Sequence, residues 1–540
     1  MTRRAVGPPP GATVAEVLAQ TLAEAGVTTV FGLPGGENTA VLDALRRVDL
    51  EFVLVRNEGS AVFMADVTAR LTGAPGVCLT TLGPGIANAF CGVAHAHLDR
   101  APVLVLSAES PPGVVGRHTH QVLDLEAIFR PVTKRTSSLS RSGTRRAVLE
   151  ALRLAHRPRP GPVHLRVSSE VAALSTLPDD SPPVRESAGV SFGGDLVAAA
   201  TSLARSRRPL LVVGLGLEPE RPYRALRAFA EAVGAPVVST PKAKGSLPDD
   251  HPLAAGVLGL TWADPAYQLL DESDLIIAVG LDVVELVRPW DQPQPLIWLA
   301  TWPNEDPRIA AEAELVGPVG PTLERLRQVA VAPAPGWGAA RVAVFRSELG
   351  AEPLPEPAVG RMRPQEVLRA LRRELPRDAF VATDVGSHKI LASLSWPALA
   401  PNRFHLSNGL SAMGFALPAA IAAARVLGRP TLCLTGDGGL AMMLGEASLL
   451  TESRLPVLIT MMNDGALDLI RSSQRRAGRP VFGTEFANPS YLEVMQGYGL
   501  EAYRVESEEA CAAAVRATLV AGGPAFIEAM VDPVSYPTTP

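Results

Sequence analysis

The chain has 540 residues, of which 47% are hydrophobic and 19% are charged, as in ordinary globular proteins. Its formal net charge of −5 excludes the basic footprint of a nucleic-acid-binding protein. The N-terminus has no apolar signal segment, and no uninterrupted apolar run of about 18 residues occurs, so we expect a cytoplasmic protein without membrane contacts. The length exceeds what one hydrophobic core usually supports and predicts two to four domains.

The first segment, residues 12–176, alternates helical and β patterns. Residues 13–26 have the apolar spacing of an amphipathic helix, and residues 28–36 predict a strand that runs into a Gly/Pro loop. Two more strand–loop patterns follow. Short apolar strands that alternate with helices predict a parallel sheet covered on both faces.

Two Pro-rich linkers, residues 175–189 and residues 331–364, separate the three segments. Residues 190–330 predict a second open α/β sheet. In residues 360–535, three strands each end in a polar loop that carries glycine. The sequence therefore predicts an α/β protein with three open, mainly parallel-sheet domains. Because ligands of such sheets bind at the carboxyl ends of the strands, we expect a cofactor in the third segment.

The stretch from Gly436 to Asp464, together with the strand before it, predicts a βαβ unit. Residues 431–435 form a strand that ends in Gly-Asp-Gly, a helix follows, and residues 456–462 form the next strand. Since the crossover helix returns the chain, Asp437 and Asp464 are expected at one sheet edge, where they could bind one ion. Mg²⁺ is commonly held by one or two carboxylates together with substrate phosphates. The alternative is a βαβ unit whose turns only happen to carry Asp and Gly.

Gly-Asp-Gly, a helix and a strand, and then Asn463-Asp464 resemble the thiamine diphosphate signature. The first segment is similar to the pyrimidine-binding domain of the acetohydroxyacid (acetolactate) synthase group, within the 2-oxo acid decarboxylase superfamily. The motifs that carry this likeness are VFGLPGGEN, RNEGSAVFMADVTARLTG and TTLGPGIANAFCGVAHAHLDRAPVLVLSAE, and the third segment adds DVGSH and SNGLSAMGFALPAA. The resemblance implies pyrimidine-binding, central Rossmann-like and diphosphate-binding domains, in that order.

By the family's pattern, Asp437, Asp464 and the backbone carbonyl of Ala466 ligate Mg²⁺. Asp464 stands where the family has Asn, so it keeps an oxygen ligand but adds a negative charge near the diphosphate. The resemblance also implies the groups that hold thiamine diphosphate: Pro34, Glu58, Asn88, Gly386, Ser387, His388, Ser411, Met413, Gly436, Asp437, Gly438, Gly439, Asp464, Ala466 and Leu467.

Glu58 is the central catalytic candidate. In the family this glutamate hydrogen-bonds a ring nitrogen of the cofactor's aminopyrimidine, a role that needs a carboxyl able to share a proton in a poorly hydrated pocket. Alternatively, Glu58 only stabilises the positive end of a helix that begins at Ser60. The resemblance further implies that Gly35 and Gly36 face the reacting carbon and that Gln121 is an active-site polar group.

His120, beside Gln121, replaces the Phe that is usual in the synthases, and it is either a substrate contact or a surface histidine. We expect His95, His97 and His118 to be structural. The four cysteines form no CxxC motif and lie in apolar contexts, which predicts four buried thiols in a reducing compartment, with no disulfide and no zinc.

The second segment contains VVGLGL, which lacks the third glycine of GxGxxG, so support for NAD is weak. LDVVELVRPW replaces the Arg-Phe-Asp-Asp stretch with which anabolic acetohydroxyacid synthases bind FAD, so FAD is not expected. Ser168 and Ser169 occupy the place of the family's Pro-Lys. These departures argue against ordinary branched-chain biosynthesis.

The leading hypothesis is a carboligase that uses thiamine diphosphate and Mg²⁺ to decarboxylate pyruvate or a similar 2-oxo acid and transfers the acyl carbanion to an acceptor. The alternatives are a non-ligating decarboxylase or C–C lyase or hydrolase of the same superfamily, an NAD-dependent oxidoreductase, and an inert protein that retained the fold. Because one cofactor spans two subunits in this family, a homodimer or a dimer of dimers is expected.

The stretch after Asp464 is expected to shape the acceptor pocket, with Leu467, Ile470 and Gln474 as lining candidates. RSSQRRAGR, residues 471–479, carries four arginines. We interpret them as a solvated helix face, with a binding surface for an anionic acceptor as the alternative.

Overall fold

The structure is a computed structural model that describes residues 11–114, 117, 120–178, 193–329, 332–349 and 354–536. Within these ranges the chain forms two compact units. The first unit takes in the described residues up to 187 together with 409–428 and 443–455, and the second unit takes in the remainder. Two pieces of the third predicted segment therefore belong to the same unit as the first segment.

The first unit contains a parallel six-stranded sheet in the order β2-β1-β3-β4-β6-β5. Its strands are β1 (Thr29–Leu33), β2 (Glu51–Leu54), β3 (Gly76–Thr80), β4 (Val103–Ala108), β5 (Arg135–Ser138) and β6 (Val163–Val167). Its helices are α1 (Val14–Glu24), α2 (Thr39–Arg47), α3 (Glu58–Thr72), α4 (Pro84–Leu98), α5 (Leu125–Phe129), α6 (Thr144–His156), α7 (Ser169–Ala173), α15 (Ala416–Leu427) and α17 (Ala447–Glu452).

The second unit contains a seven-stranded sheet in the order β10-β9-β8-β11-β12-β13-β7, which is parallel except for the β13–β7 pair. Its strands are β7 (Gly193–Gly194), β8 (Pro209–Val213), β9 (Val237–Ser239), β10 (Ala254–Val257), β11 (Leu275–Val279), β12 (Leu296–Ala300) and β13 (Ala313–Val316). The helices of this part are α8 (Leu196–Arg205), α9 (Tyr223–Val233), α10 (Tyr267–Glu272), α11 (Val319–Arg327) and α12 (Ala339–Leu349).

The second unit also contains a parallel six-stranded sheet in the order β15-β14-β16-β17-β19-β18. Its strands are β14 (Phe380–Thr383), β15 (Phe404–Leu406), β16 (Thr431–Gly436), β17 (Val457–Asn463), β18 (Glu501–Val505) and β19 (Ala525–Met530). Its helices are α13 (Pro364–Glu374), α14 (Ser387–Ser395), α16 (Asp437–Met442), α18 (Asp468–Arg476), α19 (Tyr491–Gly497) and α20 (Glu508–Ala521).

The three mainly parallel sheets confirm the predicted fold class. Every residue of β8, β11, β16 and β17 is buried, because helices cover both faces of a parallel sheet and leave its central strands no contact with water. The carboxyl ends of β16 and β17 lie side by side, with Gly436 paired to Met462. No helix in the described ranges is long and apolar enough to cross a membrane.

The crossover after Gly-Asp-Gly is broken, whereas the sequence predicted one continuous helix. It consists of α16, a 3₁₀ turn at Leu444–Glu446, and α17. The break lies at Met443, whose φ of −122° and ψ of 20° leave the helical region, and Gly445 is a poor helix former. The second predicted linker also contains a helix, α12, and residues 179–189 of the first linker lie outside the described ranges.

The prediction of four buried thiols was wrong for one cysteine. Cys78, Cys433 and Cys511 are buried, but Cys91 is exposed, and all four are free. Cys91 follows Asn88 by three residues along α4, and both side chains lie on the exposed face of that helix. Of the apolar neighbours of Cys91 in the sequence, Ala89 and Val93 are buried, whereas Phe90 is exposed as well.

Candidate active site

Glu58 is the first residue of α3, two positions earlier than the predicted helix start, and is only 5% exposed. The side chain of Asn57 caps the helix by accepting the backbone N–H of Gly59 at 2.8 Å. Asn88, on α4, donates from Nδ2 to Glu58 Oε2 at 3.3 Å. The first unit thus brings two of the predicted site residues together, the buried Glu58 and the exposed Asn88.

The glycine loops after β1 and β3 approach each other beside Glu58. A Cβ on Gly35 would lie 2.3 Å from Thr81 Oγ1, so only glycine fits there, whereas a Cβ on Gly36 would meet open space. A Cβ on Gly85 would lie 2.6 Å from Thr81 Cγ2 and 3.3 Å from Glu58 Oε1. Gly85 was not singled out from the sequence, although it lies within the motif that carried the resemblance.

Gln121 borders a cleft of about 330 Å³ in the first unit. Its backbone has a φ of 60°, and a Cβ on Gly83 would lie 2.9 Å from Gln121 Cβ. The cleft has apolar and charged lining residues: Leu82, Val122, Leu123, Leu125, Glu109, Asp124, Glu126, Arg117 and Arg166. His120, the neighbour of Gln121 in the chain, is exposed.

The guanidinium of Arg166 lies between two carboxylates of the cleft. Its Nη2 is 3.4 Å from Glu126 Oε2, and its Nε is 3.7 Å from Glu109 Oε2. Asp124 caps α5 by accepting the N–H of Ala127 at 2.9 Å. With Arg117 included, the lining carries three carboxylates and two guanidinium groups, so its net charge is negative.

The histidines that we expected to be structural lie in different surroundings. His95 is buried, with Nε2 at 3.0 Å from Asp66 Oδ2 and Nδ1 at 3.2 Å from Asp99 Oδ2. Burial lowers the pKa of His97. His118 lies outside the described residues.

In the second unit, hydrogen bonds join the turns that follow β16 and β17. Asp437 accepts the N–H of Gly438 at 2.9 Å through Oδ1 and the N–H of Gly465 at 2.8 Å through Oδ2. Asp464 Oδ1 accepts the N–H of Ala466 at 3.2 Å. Asp437 is 2% exposed, and the side chain of Asp464 is 6% exposed. Both carboxylates therefore lie at one sheet edge, sheltered from water.

Because both carboxyl groups are buried, it costs free energy to keep both of them ionised. Burial, followed by the charges of Asp437 and Asp468, raises the pKa of Asp464 to about 7, and burial also raises the pKa of Asp437. A divalent cation would remove that cost, and two carboxylates with a carbonyl are the oxygen ligands that Mg²⁺ prefers. Within the described residues, no group of three or more His, Cys, Asp or Glu side chains is arranged to hold a metal ion. The predicted set, with two carboxylates and one carbonyl, is compatible with that finding.

Asn488 supports the predicted metal ligands, although sequence analysis missed it. Its Nδ2 donates to Asp437 Oδ2 at 2.7 Å and to Asn463 Oδ1 at 2.9 Å. Asn463 in turn donates from Nδ2 to the buried Glu528 at 2.7 Å. Asn488 lies 51 residues after Asp437, and no local pattern in a single sequence marks so distant a partner.

One of the four arginines in residues 471–479 is not on a solvated face. Arg471 is buried, and its Nη2 lies 2.9 Å from Asp468 Oδ1 and 3.8 Å from Asp464 Oδ2. Asp468 also accepts the hydroxyl of Ser387 at 2.6 Å, which links α18 to the DVGSH loop. The spacing of three residues between Asp468 and Arg471 was a signal that could have found this pair.

The DVGSH loop and the Gly-Asp-Gly turn form a small cradle. Gly386, with a φ of 151°, precedes α14. A Cβ on Gly436 would lie 3.0 Å from His388 Cε1, and a Cβ on Gly439 would lie 2.5 Å from Asp384 Oδ2. The cradle thus depends on the absence of side chains at these glycines.

His388 carries a buried polar atom that is unsatisfied within the described residues. Its Nε2 has no hydrogen-bond partner there, and burial lowers the pKa of the ring to about 4, so the imidazole is neutral. The first N–H groups of α14 lie in the same loop, and helix N-termini bind anions. These features fit a diphosphate group.

The remaining predicted site residues fall in two places. Ser411 is exposed, with a φ of 52°, and Met413 is half-buried, both in the first unit. Leu467 is half-buried and Ile470 is exposed. Gln474 makes hydrogen bonds with both backbone groups of Phe482, at 2.9 Å and 3.2 Å, so it fixes that loop.

Three thiamine pyrophosphate enzyme family models match the chain. The N-terminal binding domain matches residues 12–128, the central domain residues 196–326 and the C-terminal binding domain residues 384–529. A probable 2-ketoarginine decarboxylase of Pseudomonas aeruginosa is 33% identical over 506 residues, which cover 90% of this chain and 88% of that protein.

Two acetolactate synthase large subunits of Escherichia coli are also similar. That of isozyme 3 is 30% identical over 521 residues, covering 90% of this chain and 88% of that protein. That of isozyme 1 is 30% identical over 547 residues, covering 98% of this chain and 96% of that protein. The chain therefore belongs to the thiamine pyrophosphate enzyme family, as a thiamine diphosphate-dependent enzyme of the acetolactate synthase and 2-oxo acid decarboxylase superfamily.

Proposed function

We propose that this enzyme uses thiamine diphosphate with Mg²⁺ to decarboxylate pyruvate or a related 2-oxo acid and transfers the acyl group to an acceptor. The observation that carries the proposal is the buried carboxyl of Glu58 at the start of α3, hydrogen-bonded by Asn88. In this family a glutamate at that position contacts the cofactor's aminopyrimidine ring, and a buried carboxyl is suited to sharing a proton with a ring nitrogen.

The second unit supplies groups suited to the charged end of the cofactor. Asp437, Asp464 and the carbonyl of Ala466 would hold Mg²⁺, and this is supported by the raised pKa values of both buried carboxyls. The diphosphate would lie against the cradle of small and neutral groups, namely Gly386, Ser387, His388, Gly436, Gly438 and Gly439. The unsatisfied Nε2 of His388 supports this assignment.

When bound, thiamine diphosphate supplies a carbanion centre and the electron sink for decarboxylation. The chain's own residues orient the reactants: Glu58 holds or releases a proton at its carboxyl oxygens, and Asn88 fixes that carboxyl by donating to Oε2. We propose that the Pro34–Gly36 loop, His120 and Gln121 face the reacting carbon. The backbone carbonyl of Ser411 and the backbone amide of Met413 would contact the pyrimidine, and the Met413 side chain would be an apolar wedge against the cofactor.

Replacing Glu58 with Gln tests the catalytic assignment. We expect turnover of 2-oxo acids to fall by about 10²–10⁴-fold, since a carboxyl that can exchange a proton is lost, while cofactor affinity stays within a few-fold. Glu16→Gln, in the capping box at the N-terminus of α1, is the matched control and should keep full turnover, since Gln also serves that box. Near-normal turnover in Glu58→Gln would refute the role of Glu58.

We further propose a homodimer, or a dimer of dimers, in which one subunit supplies Glu58 and its partner copy supplies the metal site. Mixing inactive Glu58→Gln with inactive Asp437→Ala tests this. Hybrid dimers would contain one intact site and recover part of the activity, whereas sites formed within a single chain would recover none. Sedimentation analysis should show at least a dimer.

A non-ligating decarboxylase of a basic 2-oxo acid is the second candidate. The cleft beside Gln121 favours it, because three carboxylates against two guanidinium groups suit a positively charged substrate tail and the leucines suit its methylene chain. One relative is a probable 2-ketoarginine decarboxylase. NMR analysis of products from pyruvate and 2-ketoarginine, each with and without an aldehyde acceptor, separates the two functions.

A further inference from the structure

A buried carboxylate, Glu446, belongs to the same compact unit as Glu58. It lies in the 3₁₀ turn Leu444–Glu446, after the break in the crossover, and is 1% exposed. Its Oε1 accepts the backbone N–H of Arg56 and that of Asn57, each at 3.0 Å. One oxygen atom thus satisfies two consecutive amides.

These two amides belong to the turn that immediately precedes Glu58. Asn57 is the N-cap of α3, so its backbone sets where the first residue of the helix begins. The guanidinium of Arg56 also pairs with Glu452 at the end of α17. Residues outside α3 therefore hold both the backbone of this turn and the side chain of Arg56.

The same short segment contacts other groups around Glu58. The hydroxyl of Ser60 donates to Met443 Sδ at 3.3 Å. A Cβ on Gly414 would lie 2.7 Å from Met443 Cγ, so Met443 lies closely against the segment that follows Met413. Residues 443–446 consequently contact both the start of α3 and the predicted pyrimidine-binding segment.

If Glu446 only filled space, any side chain of similar size could replace it. The observed geometry is more specific, because a carboxylate oxygen accepts two N–H groups at a helix start, where an anion is favoured. A shift of the Arg56–Asn57 backbone would move the Glu58 carboxyl relative to Asn88. Catalytic groups misplaced by about 1 Å can lose about 100-fold in rate.

We infer that Glu446 is a positioning residue that fixes the backbone before Glu58 and thereby sets the position of the catalytic carboxyl. This inference rests on the proposed function, because it gives Glu446 a task only if Glu58 acts on the cofactor. It assigns to the crossover after Gly-Asp-Gly a role in the first unit, separate from the metal-binding turn at its start.

The test compares Glu446→Met, which removes both acceptor oxygens, with Glu446→Gln, which keeps one. In the cofactor-free protein, we expect amide hydrogen exchange of residues 56 and 57 to be at least about tenfold faster in Glu446→Met and near wild type in Glu446→Gln. In the loaded protein, deuterium exchange at C2 of thiamine diphosphate should slow by at least about tenfold in Glu446→Met. Cofactor affinity should stay within about threefold, and Glu446→Gln should recover most of the exchange rate.

Asp274→Leu is the matched control. Asp274 also accepts two consecutive backbone N–H groups, those of Arg207 and Arg208 at 2.9 Å each, but it lies where strands of the second sheet begin. This variant should lose thermal stability without a change in C2 exchange. If Glu446→Met does not fold, Glu446→Asp, which withdraws the oxygens by one methylene, replaces it.

Each outcome decides between the inference and the proposal beneath it. If Glu58→Gln slows C2 exchange while Glu446→Met and Glu446→Asp exchange at the wild-type rate, the inference on Glu446 is wrong and the proposed function stands. If Glu58→Gln itself exchanges at the wild-type rate, the proposed function fails first. Slow exchange in Glu446→Met with rescue by Glu446→Gln supports both.

Discussion

Metal binding should be strongly pH-dependent because of the Asp at position 464. Without a cation, burial and the neighbouring charges of Asp437 and Asp468 raise the pKa of Asp464 from 3.8 to about 7. A metal ion that uses this carboxylate must therefore displace a proton at any pH below about 7. Above that pH the carboxylate is already ionised, and little proton release is required.

The expected size of the effect follows from the pKa of about 7. About one pH unit below its pKa a carboxyl is about 90% protonated, and each unit corresponds to ~1.4 kcal/mol. The affinity of the cofactor-free protein for Mn²⁺, used as a spectroscopic substitute for Mg²⁺, should fall about tenfold between about pH 8 and about pH 6. Asp464→Asn should bind Mn²⁺ more weakly at high pH but should lose most of this slope.

Electron paramagnetic resonance titration of free Mn²⁺ at constant ionic strength measures both affinities. Asp264→Asn is the control: burial also raises the pKa of Asp264, but this side chain binds the amides of Gly259, Leu260 and Thr261 in the second sheet's part of the unit. The Asp264→Asn variant should keep the wild-type pH dependence of Mn²⁺ affinity. Equal slopes in wild type and Asp464→Asn would show that Asp464 is not the titrating ligand.

Four further outcomes are expected. Gly439→Ala should lower the free energy of unfolding by about 1–3 kcal/mol in a urea titration, because the new Cβ would lie 2.5 Å from Asp384 Oδ2. Asn488→Ala should weaken Mn²⁺ binding by about tenfold or more, since Asp437 loses its supporting hydrogen bond. Burial raises the pKa of Glu285 to about 8, so wild-type stability should fall as pH rises from about 4.5 to about 8, and Glu285→Gln should flatten that fall. One thiol per native chain, that of the exposed Cys91, should react with a disulfide reagent, and the three buried thiols should react only after unfolding.

Sequence periodicity predicted the features of the fold that depend on neighbouring strands. Apolar strands alternating with helices gave the parallel sheets, and the βαβ argument placed the ends of β16 and β17 side by side, where Asp437 and Asp464 lie. It stays a prediction that these two residues ligate a metal. The division into three domains, residues 12–176, 190–330 and 360–535, also stays a prediction. The family itself could be recognised because several motifs occur in the expected order.

Contacts between distant parts of the chain could not be predicted in the same way. Asn488 and Glu446 act on groups 51 and 390 residues away, respectively, and nothing in their own surroundings in the sequence marks them. The exposure of Cys91 depends on which face of α4 meets the core, which apolar context alone does not decide. At the break in the crossover, likewise, Met443 contacts Ser60 and Glu446 contacts Asn57, which are both distant in the sequence.

The negative charge that Asp464 adds has a positively charged neighbour, Arg471. Asp437, Asp464 and Asp468 bring three negative charges to this edge of the sheet, and Arg471 returns one positive charge through contacts at 2.9 Å and 3.8 Å. Two negative charges remain, which a divalent cation would neutralise. An Asn at position 464 would remove one of these negative charges and would leave Arg471 with Asp468 and Glu485 as its partners. Arg471 thus offsets part of the negative charge that Asp464 adds at an edge sheltered from water, where an unpaired charge is costly.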